Sequence, residues 1–332
     1  MTRRSIEIFF LIVSLIVLNG CGPTTITIGA PEDQRLKTKT VFREAGLLGQ
    51  RIAIIDTTGM IYNANKPKLF AIGENPVSLL YVKLEAAAKD QKVKAVVLRI
   101  NSPGGTVTAT DAMYRQVMRF KTESNKPVVA LLMDVAASGG YFLACAADQI
   151  VAYPTTVTGS VGVLVQTISL KNALSRIGVQ TVTFTSGPNK AAGSLLSTLT
   201  AEHREILQQL VNDFYDRFVQ VVRERRPGIP DDQFKRVTDG RVLSGVQASE
   251  LGLVDQVGDL HTAFELAKSL VNIQRANLVL YHRPMQYVGS PYAMGQGPPH
   301  LGGTQVNVAQ LNFPDMVADT SAGFYYLWQP GL

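Results

Sequence analysis

The first part of the chain alternates short apolar runs with longer segments whose apolar residues recur at helical spacing. The short runs are rich in Val, Ile and Leu, which is typical of strands buried on both faces of a parallel sheet. The predicted strands are 51–55, 94–100, 127–133, 149–153, 161–165 and 180–184, and the predicted helices are 77–89, 106–122, 139–147 and 170–176. This alternation predicts an α/β fold with parallel strands and crossover helices.

A long amphipathic helix and a tail follow the alternating region. Apolar residues form one stripe along 201–226, which predicts a helix that packs on the core or on a neighbouring subunit. Residues 284–332 are rich in Gly, Pro, Gln and Asn apart from the aromatic run 323–328. We expect an extended tail whose aromatic end docks on an apolar surface.

One serine stands at the junction of a predicted strand and a predicted helix. Ser138 comes after the apolar strand 127–133 and directly before Gly139 and Gly140. The free amides and dipole of a helix N-terminus stabilise a negative oxygen, such as the one that develops in acyl transfer. The pattern fits a nucleophilic serine, and it also fits a plain N-cap serine.

A second glycine turn follows the strand 94–100. Asn101-Ser-Pro-Gly-Gly105 joins this strand to the next predicted helix. Consecutive glycines let backbone amides approach a ligand closely, as an oxyanion hole requires. An ordinary strand-to-helix turn has the same composition.

A nucleophilic serine also needs a base that accepts its proton. The four histidines are His203, His261, His282 and His300. None belongs to a recognisable triad motif, and no Gly-x-Ser-x-Gly elbow occurs. Lys190 is the candidate, because it lies among small uncharged residues and no Asp or Glu occurs between Asp148 and Glu202. A lysine that is desolvated and unpaired can act as a base, whereas most lysines are solvated.

Five ordered motifs together resemble the SppA-type signal peptide peptidases of the protease IV family, in their short, single-repeat form. The motifs are Asn101-Ser-Pro-Gly-Gly105, Ala137-Ser-Gly-Gly-Tyr141, Thr158-Gly-Ser-Val-Gly162, Lys190 and the segment 240–255. The resemblance covers residues 48–272 and implies a ClpP/crotonase-like α/β fold with C-terminal helices. It also implies a serine endopeptidase that hydrolyses apolar peptides, such as cleaved signal peptides, through an acyl-enzyme, with no cofactor and no metal.

The resemblance assigns a Ser-Lys dyad. Ser138 matches the nucleophile and Lys190 matches the general base, 190 − 138 = 52 residues further along the chain. In short members of this family the serine and lysine of one site come from adjacent subunits. The resemblance therefore implies a ring-like homo-oligomer with active sites shared between subunits.

Other site residues are assigned by the same resemblance. Ser160 matches the family serine that hydrogen-bonds the lysine. The amides of Gly104 or Gly105, together with that of Gly139, match the oxyanion hole. One departure is Phe142, which stands where a second tyrosine is frequent.

The N-terminus has the pattern of a lipoprotein signal. Arg3 and Arg4 precede the apolar run 8–18, which has signal-peptide length and is short for a membrane span. Leu18-Asn-Gly-Cys21 resembles a bacterial lipobox, and an uncleaved anchor is the alternative. We expect a signal at 1–20, a tether at 21–47, the peptidase domain at 48–272 and a tail at 273–332. Lipid on Cys21 would hold the protein at the extracytoplasmic or periplasmic face of the cell envelope.

Composition and charge restrict the partners. The 332 residues are 46% hydrophobic and 17% charged, as in a globular protein. The net charge of +6 suits an anionic membrane surface, and the dispersed Lys and Arg argue against a nucleic-acid partner. The cysteines are Cys21 and Cys145, so lipid on the first leaves no intrachain disulfide. Cys145 has apolar neighbours and is expected to be buried and inert.

Two other classes of function share part of this pattern. A crotonase-type acyl-CoA enzyme has similar glycine-loop oxyanion holes, but it needs neither a nucleophilic serine nor an export signal. A non-catalytic lipoprotein scaffold could keep the fold, although retention of Ser138 and Lys190 argues against it. Labelling by a fluorophosphonate separates the three classes, because we expect only the peptidase to react at Ser138.

Overall fold

A computed structural model describes residues 35–44, 49–65, 67–68, 71–72, 74–284, 288–293 and 323–328. The predicted signal and Cys21 lie outside the described residues. The strands are β1 (Lys37–Arg43), β2 (Arg51–Thr58), β3 (Pro67–Lys68), β4 (Ala71–Ile72), β5 (Val93–Ser102), β6 (Gly104–Thr106), β7 (Val128–Ala137), β8 (Gln149–Ala152), β9 (Val157–Gly159), β10 (Leu164–Val165), β11 (Val242–Ser244), β12 (Gln256–Val257), β13 (Asn277–His282) and β14 (Phe324–Leu327). The helices are α1 (Pro76–Lys89), α2 (Val107–Ser124), α3 (Gly139–Ala144), α4 (Lys171–Arg176), α5 (Ala201–Arg225), α6 (Asp231–Val237), α7 (Gly245–Glu250) and α8 (Leu260–Leu270).

The apolar runs form a sheet that is mostly parallel. Its strand order is β1-β13-β2-β5-β7-β8-β12, and β9 and β11 continue the sheet beside the end of β7. Every pair along this path is parallel except the edge pair of β1 with β13. Helices connect successive parallel strands, so the predicted α/β fold is confirmed.

Apolar side chains cover both faces of this sheet. On one face, Leu84 of α1, Val117 of α2 and Phe218 of α5 belong to one continuous core. On the other face, Phe264 of α8 packs in a second core with residues such as Ile54. Burial on both faces is the reason that the strands show apolar runs instead of alternation.

Two predicted strands differ in the structure. Residues 180–184 form no strand, and the side chains of Val182 and Phe184 are 73% and 93% exposed, because nothing in the described chain pairs with this segment. Within the predicted strand 161–165, only Leu164–Val165 is a strand, and it pairs with β14 instead of the central sheet. The short strand beside β7 is β9, which the sequence pattern did not indicate.

The long helix and the aromatic end of the tail pack as expected. Phe218, Val221 and Val222 of α5 are buried on the core. β14 pairs with β6 and β10, and Tyr326 on it is completely buried.

Among the described residues, no helix combines the length and the apolar character needed to cross a membrane.

A buried ion pair ties the segment 288–293 to the sheet. The Arg99 side chain is fully buried, and its Nε donates to Asp56 Oδ1 over 2.6 Å. Its Nη1 and Nη2 donate to the carbonyls of Pro291 and Ala293 over 2.7 and 2.9 Å. All of these bonds point to one guanidinium, so its removal leaves a buried carboxylate without its partner.

We expect Arg99→Met to lower the free energy of unfolding by about 3–5 kcal/mol, because the buried Asp56 carboxylate would lose its hydrogen-bond donor. Urea unfolding followed by circular dichroism measures the change. Arg115→Met is the matched control, since Arg115 pairs with Asp111 at the surface and such pairs contribute ~0–1 kcal/mol. Equal stability of both variants would contradict the assigned role of Arg99.

Candidate active site

Ser138 lies where β7 ends and α3 begins. Its φ of 51° and ψ of −117° form a combination that residues other than glycine rarely adopt. The Ser138 amide donates to the Gly159 carbonyl over 2.8 Å, and the Ser138 carbonyl accepts from the Phe142 amide over 2.8 Å. These bonds hold the strained turn, while the hydroxyl makes no capping bond to α3. Ser138 occupies the N-cap position without performing the capping that the plain interpretation requires.

The first turn of α3 packs on neighbouring backbone too closely for side chains. A Cβ on Gly140 would lie 2.5 Å from the Ser102 carbonyl oxygen, and a Cβ on Gly139 would lie 2.8 Å from Thr110 Oγ1. Close packing against Ser102 and Thr110 therefore leaves room only for glycine at the two positions after Ser138. Thr110 was missed in the sequence, since a buried Thr carries no distinguishing pattern, and Ser102 was noted only as part of the turn 101–105 without a role of its own.

The second glycine turn meets the first. Gly104 has φ 104°, and a Cβ on it would lie 2.7 Å from the Gly139 amide nitrogen. The Gly104 amide donates to Ser102 Oγ over 3.1 Å, and the Gly104 carbonyl accepts from the Ile61 amide over 2.8 Å. Gly105 is equally enclosed, because a Cβ there would lie 1.8 Å from the Ile61 carbonyl oxygen. The three glycines predicted from the sequence thus lie in one cluster beside Ser138.

Ser160 belongs to the same cluster. β9 pairs in parallel with β7 so that Gly159 lies opposite Ala137, which places Ser138 and Ser160 directly after paired residues. Ser160 has φ 52°, is 8% exposed, and its amide donates to the Arg241 carbonyl over 2.7 Å. Two strained serines therefore follow neighbouring strand ends.

Lys190 is separate from these contacts. Within the described chain, it is exposed and makes no hydrogen bond to Ser138 or Ser160. Its turn is held by the start of α5, where Asn189 Nδ2 donates to Glu202 Oε1 over 2.8 Å and His203 Nε2 lies 3.1 Å from the Pro188 carbonyl oxygen. One chain brings together Ser138, Ser160 and the glycines, and it leaves the lysine facing outward.

His203 is a structural residue whose position the sequence could have indicated. Thr200 accepts a hydrogen bond from the His203 amide over 3.1 Å, and His203 Nδ1 reaches back to the Thr200 amide. This reciprocal cap starts α5 and buries the imidazole, which is 5% exposed. The Thr-Ala-Glu-His spacing is the capping signal that accounts for this histidine.

Cys145 is not a competing nucleophile. It is 1% exposed, and burial raises the pKa of its thiol to about 11. A thiol with this pKa is protonated near neutral pH and reacts slowly. The expectation that Cys145 is buried is confirmed, and the raised pKa of its thiol is in line with low reactivity.

The chain is similar to known peptidases over this region. The family model described as Peptidase family S49 matches residues 120–274, and the Clp protease model matches residues 71–158. A protein of Enterococcus faecium named signal peptide peptidase SppA is 30% identical over 238 residues, covering 72% of this chain and 69% of that protein. Protease 4 of Salmonella typhi is 34% identical over 233 residues, and Serine protease SPPA, chloroplastic, of Arabidopsis thaliana is 33% identical over 270 residues. These two matches cover 70% and 77% of this chain but only 37% and 39% of the longer relatives.

Fold, serine turn and similarity define a serine peptidase with a Clp protease-like α/β architecture. The chain belongs to peptidase family S49. The resemblance to the SppA and protease 4 family, and the ClpP/crotonase-like fold that it implied, are both confirmed.

Close packing of the glycine turns predicts a sensitive position. We expect Gly104→Ala to lower kcat/KM by on the order of 100-fold, because a Cβ would lie 1.9 Å from the Tyr326 carbonyl oxygen and would push the turn out of place. Steady-state cleavage of a fluorogenic peptide measures the loss. Gly252→Ala is the control, since Gly252 has a similar φ of 78° and a Cβ would meet only the side chain of Ile229. Equal losses in both variants would mean that general backbone strain, and not the site, is responsible.

Proposed function

We propose that the protein is a membrane-tethered serine endopeptidase that hydrolyses apolar peptides through an acyl-enzyme on Ser138. The observation that carries this proposal is the strained Ser138 turn beside the two glycine turns. Strained strand-to-helix turns of this kind hold the nucleophilic serine in other hydrolases. The strain costs free energy, so its retention supports a functional role.

Backbone amides near Ser138 supply the oxyanion site in this proposal. Gly139 offers the amide directly after the nucleophile. Gly105 is favoured over Gly104 as its partner, because the Gly104 amide already donates to Ser102 Oγ. Removal of one such donor typically costs on the order of 10²–10³ in kcat.

Lys190 is proposed as the general base, supplied by a neighbouring copy of the chain. Its exposure in one chain and the lack of a hydrogen bond to Ser138 support a shared site. Packing against a second copy would remove water from the ammonium group and favour the neutral amine that accepts the serine proton. Ser160 would then orient the lysine.

An exposed apolar surface supports this assembly. Seven large side chains in the segment 168–196, which includes the Lys190 turn, are exposed in one chain. They are Ile168 (60%), Leu170 (41%), Ile177 (74%), Val179 (45%), Val182 (73%), Phe184 (93%) and Leu196 (42%). Concentrated apolar exposure of this kind is typical of protein interfaces. A ring-like homo-oligomer would cover the surface and bring each Lys190 to the next Ser138.

The substrate class rests on the chemistry of the site and on the names of the relatives. The signal peptide peptidase name belongs to the Enterococcus protein, and spent signal peptides are apolar. A mature envelope peptidase anchored beside the membrane would meet such peptides. We extend this substrate class to the present chain as part of the proposal.

A fluorophosphonate probe tests the function. We expect covalent labelling of Ser138 in the full-length protein, no labelling of Ser138→Ala, and cleavage of an apolar peptide library by the unlabelled enzyme only. An acyl-CoA enzyme or a scaffold would leave Ser138 unmodified. Absence of both labelling and cleavage in assembled protein would overturn the proposal.

The tether gives a separate prediction. We expect Cys21→Ser to move the protein out of the detergent phase in Triton X-114 partitioning, because the lipid attachment point is lost. Cys145→Ser is the matched control, since it removes the other cysteine and should leave partitioning unchanged. If Cys21→Ser still enters the detergent phase after its signal is cleaved, lipid on Cys21 is not the anchor.

A further inference from the structure

The strand that leads to the candidate nucleophile changes register with its neighbour shortly before its end. Ile100 of β5 pairs with Leu132 of β7. The next pair along the same two strands joins Ser102 to Ala136. One residue of β5 therefore lies opposite residues 133–135 of β7, and this segment is the β7 bulge. Bulges redirect a strand and are frequent beside active sites.

The β7 bulge decides which residues lie beside the first glycine turn of the site. Because Ser102 pairs with Ala136, the two turns meet, and a Cβ on Gly104 would lie 2.7 Å from the Gly139 amide nitrogen. A regular ladder would instead put Ala136 opposite Gly104 and carry Ser138 two residues further on, about 7 Å at the rise of a strand. Two extra residues also keep the alternation of side-chain faces, since its period is two. The bulge thus brings the nucleophile to the oxyanion glycines.

Asn101 is the residue of β5 opposite the bulge, and its carboxamide holds two bulge residues. Oδ1 accepts from the Val135 amide over 3.2 Å, and Nδ2 donates to Asp134 Oδ2 over 3.2 Å. The backbone donor specifies where the oxygen lies, and the carboxylate specifies where the nitrogen lies. Asparagine satisfies both neighbours with one planar group. An aspartate at this position would offer acceptors only.

The other side of β7 is held at the same place. The buried Thr156 hydroxyl is shared between the carbonyls of Leu132 and Met133, over 3.0 and 2.7 Å. β8 pairs with β7 as far as Leu132, and β9 pairs with it from Val135 onward. The bulge therefore lies where β7 exchanges one neighbour for the other, and β9 is the strand that leads to Ser160.

We propose that Asn101 is a positioning residue for the reaction of Ser138. Its carboxamide, paired with Asp134, sets the β7 bulge and thereby places the serine beside the oxyanion glycines. This inference rests on the proposed function of Ser138. Asn101 acts through the backbone of β7, so loss of the pair should lower kcat and leave KM for a peptide nearly unchanged.

Exchange of the two side chains tests the pair. Asn101→Asp replaces the amide donor by an oxygen, so two carboxylates face each other, and we expect kcat to fall by on the order of 100-fold through misplacement of the serine. Asp134→Asn alone should cost less than about tenfold, because an asparagine oxygen still accepts from Asn101 Nδ2. The double variant exchanges donor and acceptor, which restores the hydrogen bond, and its kcat should return to within about tenfold of the wild type.

Peptide cleavage by the assembled full-length protein gives kcat and KM, and the rate of fluorophosphonate labelling reports on Ser138 itself. We expect the labelling rate to fall in Asn101→Asp and to recover in the double variant, at a temperature where circular dichroism shows both folded. A purely structural role would lower the melting temperature without this change in labelling. Asn125→Asp is the control for added charge, since Asn125 is exposed at the end of α2.

The outcomes separate this inference from the proposed function. Wild-type kcat in Asn101→Asp, or an equal loss in Asn125→Asp, would overturn the role of Asn101. A double variant that is as slow as Asn101→Asp, or that does not fold, would overturn it as well. If Asn101→Asp alone does not fold, turnover by the double variant decides. A wild type that is neither labelled nor active would refute the proposed function of Ser138 itself.

Discussion

Ser138→Ala is expected to lower kcat for peptide hydrolysis by on the order of 10⁶ while the protein stays folded and assembled. Alanine removes the atom that would form the acyl-enzyme and leaves the glycine turns in place. Steady-state hydrolysis at matched protein concentration measures kcat, and circular dichroism measures folding. The side chain that is lost is small, so we expect little change in the unfolding midpoint.

Ser124→Ala is the matched control for this loss. Ser124 lies at the end of α2, where its hydroxyl donates to the Phe120 carbonyl, and it is remote from the glycine turns in the fold. This variant should turn over substrate at the wild-type rate. Near-normal turnover by Ser138→Ala would rule out an acyl-enzyme on Ser138, whatever the other variants do.

Lys190→Arg is expected to lower kcat by on the order of 10⁴-fold or more, because a guanidinium does not give up its proton and so cannot accept the proton of Ser138. The arginine keeps the positive charge, which separates the loss of a base from the loss of charge. Lys171→Arg is the control, since Lys171 is an exposed lysine on α4 and has no assigned role. Turnover by Lys190→Arg close to that of the wild type would indicate another base.

Mixed assembly tests where the lysine comes from. Ser138→Ala and Lys190→Ala subunits are each inactive alone, but in random mixtures about a quarter of shared sites would combine an intact serine with an intact lysine. We expect activity to return at that fraction after dissociation and reassembly. Persistent inactivity in verified mixed oligomers would place both residues in one chain.

The strands and the serine turn could be predicted because their signals are local. A buried parallel strand is an uninterrupted apolar run, and the glycines after Ser138 mark close packing of α3 on β5. The backbone strain at Ser138 was not predictable, because the Gly-x-Ser-x-Gly motif that marks such turns in other enzymes does not occur here. It is visible only in the φ and ψ of the folded chain.

Other features depend on contacts between distant segments. Segment 180–184 has the composition of a strand, yet no neighbouring strand pairs with it in the described chain. Conversely, Phe324–Leu327 forms a strand because it pairs with β6 on one side and β10 on the other. Both partners lie far from residue 324 in the sequence, so the local pattern gives no sign of them. The exposure of Lys190 could not be predicted either, because it depends on which distant segments pack against its turn in the fold.

Ser138 and Ser160 have a consequence for the stability of the folded protein. Both have positive φ angles that typically cost about 1–3 kcal/mol each, and the amide of each serine donates one hydrogen bond to a neighbouring segment, to Gly159 and to Arg241. The two apolar cores on the faces of the sheet must supply a surplus large enough to keep these turns folded. Substitutions that replace core residues by smaller apolar ones would therefore disrupt the serine turns at a lower temperature than the sheet. Thermal inactivation would then precede global unfolding.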